Sequence, residues 1–329
     1  MRVISIDGGA TKTLAVLYDT LKEEVLGIGV AGPSNFFSVS TETAMDNINK
    51  AMKMALSNIN EYEIIMGLAG FGDSERANSI GLNISKSISH GHKFFIENDG
   101  VFAYRLANLF NDGAIFAPGT GSIGIYQKNG GIKRIGGWGW FAGDEGSASW
   151  IARRALTIAE EQYDKLIDGD SLVKLTEEYY KNEFRQAINN LEIEHPKRRV
   201  ALMAPGVSKL AYSGDSIAVN IINEAADYDA RILNVMSKFF DHEIPVALVG
   251  GTVLAGDMLK NGVIKNTILK NISFFYGYHV AVGGLILYMN KNNINFDYKL
   301  RDKIIKDIDD KINEIDHRIL YENLGVDFI

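Results

Sequence analysis

No cysteine occurs in the 329 residues of this chain. Disulfides, thiolate zinc sites, cysteine-held iron–sulfur clusters and thiol nucleophiles are therefore excluded together. A cysteine-free chain suits a reducing compartment, so a cytoplasmic location is expected. Long apolar runs are also missing. The longest, such as Val280 to Met289, fall well short of the ~20 residues a membrane span requires. The opening MRVISIDGG meets an acid at Asp7, too early for the apolar region of a signal peptide. A soluble protein without a membrane partner is expected. Positive charge is in deficit, with 34 Lys and Arg against 41 Asp and Glu and a formal charge of −7. That balance argues against a nucleic-acid partner, because phosphate binding favours a basic excess. The local basic group Lys197, Arg198 and Arg199 beside Pro196 reads as a solvated turn. No Pro-, Ser- or Gly-rich linker interrupts the chain, so any domain boundary lies between compact pieces.

What remains is ample material for a core. Apolar residues make up 46% of a length that suits two domains. The chain also echoes itself. VISIDGGATKTLAVLYD followed by KEEVLGIGVAG is answered, from Gly113, by GAIFAPGTGSIGIYQ followed by NGGIKRIGGWG. Each copy is an apolar run, a Gly/Thr turn, a second run, a polar turn and a third strand ending at glycine, which predicts two like lobes opening with β-meanders. Helical spacing follows over Thr43 to Ile59, Ser147 to Ala159 and Ser216 to Phe240, with strands at Glu63–Leu68, Lys93–Glu97 and Val246–Val249. Near the end, Leu300, Ile304, Ile308, Ile312 and Ile315 draw one apolar stripe, expected to pack on the first lobe. Strands and helices interleaved in this way predict an α/β fold.

The turns carry the candidate chemistry. Asp7-Gly8-Gly9-Ala10-Thr11-Lys12-Thr13 lies between two strands, where glycines permit tight geometry and N–H groups can wrap phosphate oxygens. Thr11, Lys12 and Thr13 would add hydroxyls and charge, and Asp7 could hold magnesium. A plain Asp-Gly hairpin is an equal reading. Gly119-Thr120-Gly121-Ser122 begins a GTGSIG run that spells the dinucleotide fingerprint. That fingerprint needs a helix directly after it, whereas Ile123, Ile125 and Tyr126 continue as strand, so the dinucleotide reading is rejected. No GxxxxGK[ST] loop is present. Gly250-Gly251 could let an adenine approach the backbone, or could simply allow close packing. Asp99 follows an apolar strand and could take a proton from a substrate hydroxyl, or cap the next helix. The segment Gly136 to Ser147, GGWGWFAGDEGS, has the aromatics and carboxylates of a sugar pocket, with a helix-dipole role as the plainer reading for Asp144 and Glu145. Asn35 closes the first meander and could bind a hydroxyl as donor and acceptor. The six histidines show no metal-binding spacing.

In order, DGGATKT, PSN, ENDG, PGTGS, GGWGWFAGDEGS, APGV, VGGT and AVGGLILY resemble the BadF/BadG/BcrA/BcrD ATPase family, and within it the N-acetylglucosamine kinase-like sugar kinases. The resemblance runs from Asp7 to about Leu287. It implies two actin-like (ribonuclease H-like) lobes, each a mixed five-stranded sheet flanked by helices, with a cleft between them. The expected division is residues 1–112 with a C-terminal helix 290–329, and residues 113–289. Implied roles are Asp99 as catalytic base and, with Asn35, Gly137, Trp138, Gly139 and Asp144, as sugar ligand. Gly8, Gly9, Thr11, Lys12, Gly119, Thr120, Gly121, Gly214, Gly250 and Gly251 would hold ATP, and Asp7 Mg2+. Asp7, Asp99, Thr120 and Asp144 are expected to share one cleft.

The resemblance further implies an ATP-dependent kinase of a small sugar, most directly N-acetylglucosamine or a related hexose, acting as a homodimer. Glucose and 2-keto-3-deoxygluconate stay open as substrates, because Phe36 and Phe37 follow Asn35 where amino-sugar kinases of the family often carry His. Ala10 also stands where many members have a third glycine. An acyl-CoA dehydratase activator of the same family would need cluster cysteines. A sugar-responsive regulator would need a helix-turn-helix arm ahead of the strand at residue 2, and a chaperone ATPase a peptide-binding domain. None of these is expected.

Overall fold

The structure, a computed structural model, describes residues 1–194 and 197–316. It divides into two compact units, Met1–Asn111 with the described residues from Tyr278 onwards, and Asp112–Gly277.

The first unit opens with the meander β1 (Arg2–Gly8), β2 (Thr13–Asp19) and β3 (Glu24–Ala31), antiparallel throughout. Strands β4 (Glu63–Leu68) and β5 (Phe94–Glu97) join in parallel, giving the order β3-β2-β1-β4-β5. Helices α1 (Thr41–Leu56), α2 (Glu75–Ser89) and α3 (Asp99–Asn108) connect them. Ser40 starts α1 by accepting the Thr43 N–H, and the helix buries Ala44, Ile48, Ala51, Met52 and Ala55. It lies so close on β3 that a Cβ at Gly27 or Gly29 would strike the carbonyls of Ala55 and Ala51. Helix α1 ends at Leu56, short of the expected Ile59, where Ser57 takes a positive φ of 52°.

The second unit repeats the plan with β6 (Gly113–Pro118), β7 (Ser122–Lys128) and β8 (Gly131–Gly136). After β8 come α4 (Ala148–Tyr163), α5 (Ser171–Tyr180), α6 (Phe184–Glu194), α7 (Lys197–Ala201), α8 (Ala204–Tyr212) and α9 (Ser216–Ser237). Strand β9 (Val246–Gly250), the 3-10 turn Gly251–Ala255, α10 (Asp257–Asn266) and β10 (Ile272–Tyr276) complete it. Its order, β10-β9-β6-β7-β8, is that of the first sheet read from the other edge. The repeat seen in the sequence is thus a repeat of topology. Strands β6 and β7 pair antiparallel across PGTGS, so no helix follows that turn.

The chain then returns to the first unit through α11 (Val280–Lys291) and α12 (Tyr298–Glu314). This corrects the expected boundary, because residues 278–289 belong with the first unit rather than the second. The reason is close packing. A Cβ at Gly283 would strike the Phe102 carbonyl of α3, one at Gly284 would strike the Ser5 hydroxyl, and Ser5 Oγ donates to the Ala281 carbonyl at 2.7 Å. Helix α12 buries Ile304 and Ile308 of the expected stripe, and Asp309 meets His279 Nε2 at 2.8 Å. The remainder of the expected C-terminal helix, 317–329, and Pro196 lie outside the described residues. No described helix is long and apolar enough to cross a membrane.

Candidate functional site

In the first unit, β1 delivers Asp7 to the sheet end, where its carboxylate is buried and Lys12 Nζ stands 3.3 Å away. Burial pushes the Asp7 carboxyl above its ordinary range, and the Lys12 charge pulls the other way. The Gly9 N–H donates to the Lys12 carbonyl at 3.0 Å, while the Gly9 carbonyl accepts the Ser34 and Asn35 N–H groups at 3.1 Å. DGGATKT and PSN are therefore one hydrogen-bonded cluster. A Cβ at Gly8 would lie 2.7 Å from Leu68 Cδ2 and from Ser34 Oγ, so a larger residue there would push both side chains aside. The Asn35 Oδ1 accepts the Phe37 N–H at 2.9 Å, closing an Asx turn. Thr13 differs from expectation. Its hydroxyl is buried, bonded to the Gly32 carbonyl and Ser34 Oγ at 2.7 Å each, and it serves the turn rather than a ligand.

Asp99 is the first residue of α3, but the capping role belongs to Asn98, whose Oδ1 accepts the Gly100 N–H at 2.9 Å. Asn98 is itself tied by Nδ2 to the Phe71 carbonyl at 2.6 Å. The Gly100 N–H also reaches Asp99 Oδ1 at 2.9 Å, and half-buried Asp99 nevertheless has its carboxyl raised to about 7. Burial is the main cause, reinforced by the negative charges of Asp7 and Asp73 and opposed by the Gly100 N–H. Asp7 and Asp99 thus share one electrostatic environment, with Asp73 a member the sequence reading missed.

In the second unit, the turn after β6 is seated on the start of α4. The Gly119 and Thr120 carbonyls accept N–H groups from Ala148 and Ser149 at 2.9 and 3.3 Å. The Gly119 N–H donates to the Gly121 carbonyl at 2.7 Å. Gly9 and Gly119 hence shape their turns with their own N–H groups. Ser147 caps α4 by accepting the Trp150 N–H at 3.2 Å, so Asp144 is not the cap. Asp144 is buried at a φ of +60°, accepts the Ser122 N–H at 3.3 Å, and pairs with Lys197 Nζ at 2.6 Å. Ser122 Oγ in turn donates to the Glu145 carbonyl at 2.8 Å. PGTGS and GDEGS are thus joined. Lys197 overturns the reading of its cluster as a solvated turn, since it opens α7 and reaches a buried carboxylate.

Gly136, Gly137 and Gly139 all take positive φ. The loop they shape leaves Trp138 and Phe141 81% and 95% exposed, available to a ligand surface. Gly250 is packed on the Pro118 backbone, which a Cβ would strike, and Thr252 Oγ1 donates to the Pro118 carbonyl at 2.9 Å. Gly251 differs, because a Cβ there would meet nothing within 4 Å. Gly214, at a φ of +92°, turns the chain between α8 and α9, and nearby Tyr212 Oη donates to the Ala255 carbonyl at 3.0 Å. Asp229 of α9 was also missed. It is fully buried, both carboxyl oxygens lack a hydrogen-bond partner among the described residues, and a Cβ at Gly146 of GDEGS would strike its Oδ1. Burial raises its carboxyl well above the usual range.

Residues 4–287 match the BadF/BadG/BcrA/BcrD ATPase family. The chain belongs to that family. It is 30% identical over 240 residues to an N-acetylmuramic acid/N-acetylglucosamine kinase of Clostridium acetobutylicum, covering 68% of this chain and 75% of the relative. It is 24% identical to an N-acetyl-D-glucosamine kinase of Dictyostelium discoideum, over 76% of this chain and 85% of that one. In fold it resembles the crystal structure of a nominal N-acetylglucosamine kinase from Chromobacterium violaceum, with a TM-score of 0.69 at 22% identity, covering 87% of this chain and 98% of the other. The two mixed five-stranded sheets flanked by helices are those of the actin-like ATPase fold.

Proposed function

We propose that this chain is an ATP-dependent sugar kinase that transfers the γ-phosphoryl group to a hydroxyl of N-acetylglucosamine or a closely related amino sugar. The observation that carries the reading is Asp99, a half-buried carboxyl just after β5 that burial and the charges of Asp7 and Asp73 raise to about 7. A general base works best when its pKa lies near the operating pH. The amino-sugar kinases among its relatives support the substrate class.

On this reading Asp99 accepts the proton of the attacking hydroxyl. The oxygen bonds to the γ-phosphorus, the bond to the β–γ bridging oxygen breaks, and ADP leaves. Asn35, with its amide nitrogen directed by the Phe37 bond, and the Gly137 to Gly139 loop with Trp138 hold the sugar. The first turn, with Gly8, Thr11 and Lys12, and the second, with Thr120 and Gly121, hold phosphate oxygens. Gly251, open beside its Cα, and Gly214 serve the adenosine. A buried carboxylate such as Asp7 would suit Mg2+, which usually keeps several waters and binds through one or two carboxylates plus phosphates. When bound, the ion supplies positive charge to those phosphates. Catalysis then rests on positioning and electrostatics.

A coupled ADP-release screen tests the reading, using N-acetylglucosamine, N-acetylmuramic acid, glucosamine, N-acetylmannosamine, glucose and 2-keto-3-deoxygluconate. Release driven by an N-acetylated amino sugar is expected. Release with 2-keto-3-deoxygluconate alone would reassign the substrate, and none with any sugar would remove the kinase reading.

A further inference from the structure

We infer that Lys197 is a phosphate-binding residue of the second glycine turn, held ready there by Asp144. The inference rests on the kinase reading, in which that turn takes phosphate oxygens.

Three observations carry it. The first is proximity to the turn. A Cβ on Gly121 would lie 2.7 Å from Lys197 Nζ and 2.6 Å from Asp144 Oδ2, so the ion pair lies against the turn backbone and a larger residue there would displace it. The second is asymmetric exposure. The Asp144 side chain is 4% exposed and the Lys197 side chain 34%. The carboxylate is the enclosed member of the pair and the lysine side chain the more accessible one. An ammonium has three N–H donors, and among the described residues Asp144 is the one acceptor found for them. A phosphate oxygen can therefore bind without breaking the anchor.

The third observation comes from the repeat. The first turn carries its own cation, Lys12, 3.3 Å from the carboxylate of Asp7. The second turn, Gly119-Thr120-Gly121-Ser122, has no basic residue in its sequence. Lys197 supplies one from α7, again on an aspartate, at 2.6 Å. The same device, a lysine seated on an acid beside a glycine turn, recurs in both units with a different origin in the chain. Its basic neighbours do not share the role. Arg199 pairs with Glu194 at 3.6 Å and lies over the Tyr180 ring, and Arg198 is half-buried, its guanidinium acidified by that burial.

The test is calorimetric titration of the full chain with magnesium and the β,γ-imido analogue of ATP, and separately with adenosine. Lys197→Met should weaken the triphosphate about tenfold to a hundredfold, the range of one hydrogen bond to a charged group, and leave adenosine within about twofold. Lys197→Arg should recover most of the loss. Because Lys197→Met strands the buried Asp144 charge and can unfold the chain, the same step is also measured on an Asp144→Asn background. There the double variant should again lose triphosphate affinity relative to Asp144→Asn alone. Unchanged triphosphate affinity in both backgrounds overturns the inference. So does equal loss for triphosphate and adenosine, which marks a purely structural pair. If the wild type binds the triphosphate no better than adenosine, the phosphate role of the turn, and with it the kinase reading, falls first.

Discussion

Asp99 acquires its character from three neighbours. Asn98 shares the Gly100 N–H with it, Asp7 and Asp73 oppose its ionisation, and burial removes the water that would stabilise its charge. A base raised to about 7 is protonated below that pH and cannot accept a proton. The sugar-dependent kcat/KM should therefore fall as pH drops below 7, with an inflection near that value in the free enzyme. A profile flat down to the ordinary carboxylate range of about 4 would show that Asp99 does not govern the step. Asp99 was legible as an acid at a strand end, since an apolar run stopping at an Asp is a local signal. Lys197 was not legible, because 53 residues separate it from Asp144 and no spacing rule joins a loop acid to a lysine so far along the chain. Thr13 failed the other way. Its neighbours suggested a ligand, yet its side chain faces Gly32 and Ser34 inside the meander.

Helix α9 shows how an element can hide a buried acid inside a regular pattern. Its buried stripe runs through Ile222, Ala226, Asp229 and Leu233, so an acid occupies a position whose spacing calls for an apolar side chain. That mismatch was the available signal. Burial raises Asp229 well above the ordinary range, so the folded chain retains a proton that the unfolded chain releases above about pH 4. Stability is then fully present below that value and is lost as pH rises, until the folded-state pKa is passed. Asp229→Asn removes this dependence. Between about pH 5 and about pH 8, the melting temperature of the variant should move upward relative to wild type. A difference between the two that stays constant with pH would mean that Asp229 is not carrying a proton in the folded chain. The strands were the most legible elements, since β4 falls on the expected Glu63–Leu68 and the meander turns fall at their glycines.

At the scale of the whole molecule, the doubled meander in the sequence corresponds to two sheets of equivalent order. The position of α11 was misread because its run from Val280 to Met289 is buried all round and has no polar face to indicate which core it serves. The close approach of Gly283 and Gly284 to α3 and β1, with the Ser5 bond to the Ala281 carbonyl, assigns it to the first unit. Family membership follows from a match spanning residues 4–287, while the roles proposed for Asp7, Asp99, Asp144 and Lys197 rest on local chemistry in each unit. The most direct measurement of the account is the rate at which phosphorylated N-acetylglucosamine forms from ATP, followed by mass spectrometry, for the wild type and Asp99→Asn side by side. The account predicts product from the wild type and a rate about 10²- to 10⁴-fold lower in the variant, with ATP affinity retained. Equal rates in the two proteins would contradict it.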